Sequence, residues 1–227
     1  MPATSPSPVI RLEDTRLSYP TPDGEIEVLR GMDLSVADGE IVAITGPSGS
    51  GKSSLIAVVG GLEPPTGGST RVLGIEMATA SERQRTRLRR RKIGVVFQAY
   101  HLVPAMTALQ NVALPLMLAG VQQAEKTAVE MLERVGLSHR LTHRPSALSG
   151  GEQQRVAIAR AFSAEPTLVL ADEPTGNLDQ KTGNIVIEAM FDLTRNSGAA
   201  MLLVTHDVTL AARCDRVIVI DEGRVVD

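Results

Sequence analysis

Eight consecutive residues constrain this chain more than any others: Gly46, Pro47, Ser48, Gly49, Ser50, Gly51, Lys52 and Ser53. They satisfy the pattern G-x-x-x-x-G-K-[ST] at every specified position. The preceding Ile41-Val42-Ala43-Ile44-Thr45 reads as a short buried strand, and residues 54–59 read as the start of a helix. A strand, a glycine loop and a helix, in that order, make an anion cradle. The glycines let backbone N–H groups turn inward where a Cβ would block them, and the helix N-terminus adds partial positive charge. In such a cradle the lysine, Lys52, reaches the β- and γ-phosphates of a nucleotide, and the Ser53 hydroxyl binds Mg2+.

The rest of the composition narrows the function classes. The 227 residues suffice for one sizeable domain, with 43% apolar and 22% charged residues, as in a soluble globular protein. A net charge of −3 and an aromatic content of 2% argue against both bulk electrostatic binding of nucleic acid and a base-stacking surface. The one cysteine, Cys214, cannot form an internal disulfide, so a reducing compartment and a small packed side chain are expected. Residues 1–8 are rich in Pro, Ser and Thr, lack the basic and apolar regions of a signal peptide, and read as a disordered tail. Residues 102–123 carry no charge, but Pro104, Gln110, Asn111, Pro115, Gln122 and Gln123 interrupt them. A helical subdomain with one apolar face is the better reading there than a membrane span.

Alternating polarity predicts strands over residues 9–19, 25–29 and 32–36, with turns at 20–24 and 37–39. An antiparallel layer thus precedes the phosphate loop. Residues 60–68 form a Gly/Pro-rich connection, 69–73 another strand, and 81–91 a helix dense in arginine (Arg83, Arg85, Arg87, Arg89, Arg90, Arg91). That helix reads as a solvated face, or as a contact for anionic headgroups or an acidic partner. Residues 92–98 are β-rich, and about 104–164 are expected to be helical throughout. Strands at 167–171, 200–205, 216–220 and 224–226 then alternate with helices at 180–196 and 208–213. Apolar strands alternating with helices imply a mainly parallel sheet covered on both faces.

The run Leu168-Val169-Leu170-Ala171-Asp172-Glu173 ends a buried strand in two carboxylates. In open α/β sheets ligands gather at such strand ends, so Asp172 is the candidate for the Mg2+ region and Glu173 for polarising an attacking water. The stretch Leu148-Ser149-Gly150-Gly151-Glu152-Gln153-Gln154 opens a helix with a Ser-Gly-Gly turn, a second anion-binding helix N-terminus. One nucleotide would be crowded by both ends. The second end could instead serve a nucleotide held by another copy of the chain.

With these motifs in this order, the sequence resembles the nucleotide-binding subunit of ABC transporters, over almost the whole chain from about Val9 to Asp227. The resemblance implies an α/β fold: a P-loop NTPase domain with a mainly parallel core sheet, an antiparallel β subdomain and a helical subdomain at about 104–164 carrying the signature. Residues 9–227 would then be a single ABC ATPase domain. It implies ATP and Mg2+ as cofactors, with two copies head to tail and each ATP between one copy's residues 46–53 and the other's Ser149, Gly150 and Gly151. Residue by residue, Tyr19 matches the aromatic that stacks on adenine. Gln98 matches the glutamine that senses γ-phosphate and Mg2+. Asn177-Leu178-Asp179 matches the loop linking the two sites, and His206 the switch histidine. Ser54 stands where many relatives have Thr, a change a helix start tolerates. In the implied mechanism Lys52 and Mg2+ neutralise charge, Gln98 and His206 order the γ-phosphate and water, and Glu173 is the base. The metal would be held by Ser53, Gln98 and Asp172.

Phe97-Gln98-Ala99-Tyr100-His101-Leu102-Val103-Pro104, Thr107-Ala108-Leu109-Gln110-Asn111-Val112 and Thr175-Gly176-Asn177-Leu178-Asp179 are similar to one branch of that family. It comprises lipoprotein-release, macrolide-efflux and cell-division ATPases (the LolD, MacB and FtsE-like group, with YbbA-like exporters). The implied function is ATP-driven dimerisation that powers an inner-membrane partner in export or lipoprotein release. The partner would be a separate transmembrane permease with a large extracytoplasmic domain. No nucleic-acid partner is implied, and the ATPase would sit peripherally on the cytoplasmic side of the inner membrane. The alternative within the branch is a regulatory ATPase that gates an extracytoplasmic hydrolase without transport.

Overall fold

The computed structural model describes residues 8–22 and 24–226, so the expected tail over 1–8 lies, but for Pro8, outside the described residues. The chain divides into two compact units, residues 1–87 with 200–227, and residues 88–199.

The first unit opens with a long hairpin, β1 (Ile10–Thr21) against β2 (Gly24–Val36), in antiparallel register from Ile10↔Val36 to Thr21↔Gly24. Where the sequence suggested two strands after the turn, the structure has one, because the hairpin absorbs the irregularity as bulges. Thr15 faces Met32 and Arg16 faces Arg30, so Gly31, at φ 79°, is stepped over. β1 also pairs with β4 (Gly67–Val72), and β4 pairs with the two-residue β5 (Ile75–Glu76), too short to show a period in sequence. Thr15 is fully buried between these strands, and its hydroxyl donates to the Ser69 carbonyl at 2.9 Å and lies 3.0 Å from the Thr70 hydroxyl. A buried polar atom is tolerated only with such partners.

The same unit holds β3 (Ile41–Thr45), paired in parallel with β8 (Ala200–Val204) and β9 (Arg216–Asp221); β10 (Arg224–Val226) turns back antiparallel on β9. Ile41, Val42, Ala43 and Ile44 are all buried, as are all five residues of β8, which fits strands covered on both faces. α1 (Lys52–Val59) follows β3, and α2 (Glu82–Lys92) leads towards the second unit with Leu88 as its buried residue.

In the second unit β6 (Ile93–Phe97) and β7 (Leu168–Asp172) run parallel, from Ile93↔Leu168 to Phe97↔Asp172. Between them come α3 (Ala108–Ala119), α4 (Ala124–Arg134) and α5 (Gly150–Phe162), and after β7 comes α6 (Gln180–Ser197). The expectation of helix throughout 104–164 is corrected: from 135 to 149 the chain forms only 3-10 turns, at Ser138–Arg140 and Pro145–Ala147. Gly136, at φ 72°, ends the α4 region and Pro145 cannot extend a preceding helix. Thr107 and Gln110 close a capping box on α3, and buried Asn111 gathers the loop before it, accepting from Val103 N and donating to the carbonyls of Val103, Met106 and Thr107. No helix among the described residues is long and apolar enough to cross a membrane. A short helix α7 (Val208–Ala211), capped by Asp207, follows β8 and stops short of the expected residue 213.

Leu170 has no exposed surface. Leu170→Ala is expected to lower the unfolding free energy by about 2–5 kcal/mol, read as a lower urea midpoint with an unchanged slope.

Candidate functional site

The phosphate-loop pattern folds as its residues require. β3 ends at Thr45, the loop turns through Gly46, and α1 begins at Lys52 with Gly51 as its N-cap. Gly46 sits at φ 139°, and a Cβ there would run into the Ile220 carbonyl oxygen, so β9 itself excludes any side chain at this position. The Lys52 residue is only 8% exposed. Its ammonium donates to the Gly46 carbonyl at 2.9 Å, the Pro47 carbonyl at 2.5 Å and the Ser50 hydroxyl at 3.3 Å. A buried ammonium needs oxygen acceptors on several sides, and the loop supplies them. Pro47, Ser48, Gly49 and Ser53 are exposed, and Ser54 is half-buried. Gly223 N donates to Ser50 O at 3.0 Å, so the β9–β10 turn braces the loop.

Tyr19, 38% exposed near the end of β1, donates its hydroxyl to Glu63 Oε2. The same connection holds the strand through Ser18 N to Thr66 Oγ1 at 3.0 Å and Thr66 N to Arg16 O at 2.8 Å. The hydrogen bond to the Glu63 carboxylate pushes the Tyr19 phenol up to about 12. His206 is exposed in the turn before α7, where Asp207 N donates to Thr205 Oγ1 at 3.0 Å and the Asp207 carboxylate accepts from Thr209 N at 2.8 Å and Leu210 N at 3.2 Å. The backbone around His206 is therefore fixed.

The second unit carries the remaining predicted residues. Asp172 closes β7 opposite Phe97, placing it at the strand end beside Gln98. Glu173 follows at φ 45°, a left-handed conformation that a non-glycine residue adopts at a cost. Gln98 Nε2 donates to Asn177 Oδ1 at 3.3 Å, and Asn177 Nδ2 returns a bond to Gln98 O at 3.1 Å. A Cβ on Gly176 would stand 2.6 Å from Gln98 Nε2 and 3.2 Å from Glu173 Oε2. Gln98, Glu173 and the 176–177 turn thus form one close-packed cluster.

Ser149 is the N-cap of α5 and completes a capping box with Glu152. The Glu152 carboxylate accepts from Ser149 N at 2.8 Å and Ser149 Oγ at 2.9 Å, and from Arg140 Nε at 2.8 Å. Those bonds from Ser149, reinforced by Arg140, hold the Glu152 carboxyl down at about 2. A Cβ on Gly150 would lie 3.0 Å from the Tyr100 hydroxyl and 3.3 Å from Leu178 Cδ2, and one on Gly151 would strike Thr182 Cγ2. Gly150 therefore packs on Leu178 of the 177–179 turn and Gly151 on Thr182 in the first turn of α6, which Asp179 caps by accepting from Thr182 N at 3.0 Å. That cap lowers the Asp179 pKa, the hydrogen bonding by Thr182 first among the causes.

Reading the sequence missed several supports. Arg160 donates to Tyr100 O at 2.8 Å and His101 O at 2.6 Å, clamping two residues at φ 57° and 48° after Gln98. Phe97 and His101 stack edge to face at 5.0 Å across the same turn. Arg140 and Glu63 likewise act over separations that no local period reveals. Only an arginine among the largely buried residues of the last turn of α5 could have drawn attention to Arg160.

The family profile described as ABC transporter matches residues 29–176. The lipoprotein-releasing system ATP-binding protein LolD of Legionella pneumophila (strain Lens) is 50% identical over 208 residues, covering 91% of this chain and 92% of that protein. LolD of Alcanivorax borkumensis is 49% identical over 219 residues, covering 96% of each. Among solved structures, the dimeric post-hydrolysis state of the ATP-binding cassette MJ0796, bound to ADP and Pi, matches with a TM-score of 0.89 and 38% identity, covering 96% of this chain and 97% of that one.

The raised phenol gives a direct readout, since Tyr19 and Tyr100 are the two tyrosines. In a Tyr100→Phe background, ultraviolet titration should show Tyr19 ionising near about 12, and adding Glu63→Ala should bring it back towards 10.0. Because the folded value lies above the unfolded one, the contact's contribution to stability is complete below pH 10.0 and disappears as pH rises through about 12.

Proposed function

The chain belongs to the ABC transporter family as its ATP-binding, ATP-hydrolysing subunit, and from that premise we propose that it powers lipoprotein release through a separate membrane-spanning partner. The LolD relatives at about half identity over nearly the whole chain support the lipoprotein reading. The chain would act peripherally on the cytoplasmic face of the inner membrane, paired with a second copy. The single observation that carries the catalytic reading is the cluster of Glu173, Gln98 and Asn177 beyond the end of β7.

In this reading the loop at 46–53 binds the phosphates through its backbone N–H groups, and Lys52 exchanges the loop carbonyls for β- and γ-phosphate oxygens. Tyr19, tethered by Glu63, offers its ring to adenine. The residues suit Mg2+: Ser53, Asp172 and Gln98 are all hard oxygen donors, and Gln98 commits its Nε2 to Asn177, which leaves its oxygen as the ligand. Among the described residues no group of three or more His, Cys, Asp or Glu could hold a metal ion. When bound, the metal supplies charge neutralisation at the phosphates. Glu173 orients and deprotonates the attacking water, and His206 contacts the γ-phosphate. Ser149, Gly150 and Gly151 close on the phosphate held by the other copy, and Asp179, two residues after Asn177, links the two sites.

The test uses Glu173→Gln. Slowed hydrolysis with retained ATP binding, an ATP-dependent dimer, and co-purification of a polytopic membrane protein with a large extracytoplasmic domain are the expected results. A loss of hydrolysis of about 10²–10⁴-fold is in the range for a general base. Co-purification of ribosomes or DNA instead would overturn the transport reading. Ser149→Arg should abolish cooperative hydrolysis, and a normal rate in that variant would overturn the head-to-tail pair.

A further inference from the structure

The N-terminus of α5 has two competing claims on it. A helix N-terminus with its partial positive charge favours an incoming phosphate. Yet Glu152 places a carboxylate at the same end, with one oxygen, Oε2, accepting from both the backbone N and the hydroxyl of Ser149. An unneutralised carboxylate there would repel the anion that the signature has to receive, and it would keep the Ser149 proton for itself.

The other oxygen of Glu152 is held by Arg140. Arg140 Nε donates to Oε1 at 2.8 Å, with the Arg140 and Glu152 side chains 35% and 14% exposed. Arg140 lies in the Ser138–Arg140 turn, outside α5, and its guanidinium bonds the Glu152 oxygen that Ser149 does not use. Its Nη1 lies 3.2 Å from His143 Nε2. His143 N donates to Arg140 O at 2.9 Å, and His143 O accepts from Ala108 N at 2.8 Å at the start of α3. The arginine is thus anchored through its neighbours, and it takes up none of the α5 amides.

We propose that Arg140 is a positioning residue for the signature serine: it neutralises Glu152 and fixes it on Oε1, so that the Ser149 hydroxyl can turn from Glu152 to a phosphate presented by a second copy of the chain. The inference rests on the head-to-tail reading above. Glu152 keeps its bond from Ser149 N throughout, so the helix cap survives the exchange. Arg140 itself touches no nucleotide.

The experiment measures ATP-dependent dimerisation by analytical ultracentrifugation, in the Glu173→Gln background, with nucleotide binding by dilute monomer as a parallel readout. Arg140→Ala should raise the ATP concentration for half-maximal dimer by about tenfold, the scale of a lost close charge pair. Arg140→Lys should recover most of that loss. Adding Glu152→Gln to Arg140→Ala should also recover it, because the uncompensated charge is gone, and raised salt should narrow the gap by screening. Monomer binding should stay unchanged, since residues 46–53 supply it. The proposal falls if Arg140→Ala dimerises like its parent, if the double variant stays as impaired as Arg140→Ala, or if Arg140→Ala loses monomer binding too. Normal dimerisation by Ser149→Arg would remove the head-to-tail premise itself, whatever Arg140→Ala does.

Discussion

A buried ammonium surrounded by loop oxygens is the constraint on which the nucleotide half of this protein depends. Lys52 can be nearly inaccessible only because the chain bends back to offer the carbonyls of Gly46 and Pro47 and the hydroxyl of Ser50. That bend requires glycine at 46, where the Ile220 carbonyl leaves no room for a side chain. It also requires β9 beside β3, and Gly223 N bonded to Ser50 O, so the C-terminal strands brace the loop from more than 170 residues away in sequence. The parallel pairing of β3 with β8 and β9 is therefore what gives the phosphate loop its fixed shape.

The second unit solves a related problem at a different helix end. Its Ser-Gly-Gly turn opens a helix whose first amides are organised by a capping box, and the acid of that box is paired with an arginine from a separate turn. The glycines allow the turn to sit against Leu178 and Thr182, which couples the start of α5 to the start of α6 by direct packing. Glu173, at φ 45°, holds a left-handed conformation that a non-glycine residue adopts at a cost. Strain of this kind persists when surrounding bonds over-determine it, as the reciprocal Gln98–Asn177 pair does here.

The motifs were legible because each is local. A glycine loop between a buried strand and a helix, or a serine three residues before a glutamate, specifies its own conformation within a few residues. Most strands and the long helices α3, α4 and α6 were legible for the same reason, through period and caps. The 135–149 stretch was not: its apolar residues resemble a helix face, while Gly136 and Pro145 break it into 3-10 turns. Nor was the unbroken β2, since a bulge is decided by two strands together and not by either alone.

By itself the sequence determined where the glycine loop and its lysine fall, which carboxylates stand at a strand end, and which family the chain belongs to. All of these are written in short runs whose spacing is set by backbone geometry. Only the tertiary structure decided that Glu63 tethers Tyr19, that Arg160 clamps the turn after Gln98, and that Arg140 holds Glu152. Each is a hydrogen bond between groups brought close by packing, and no pattern in one dimension encodes the distance between them.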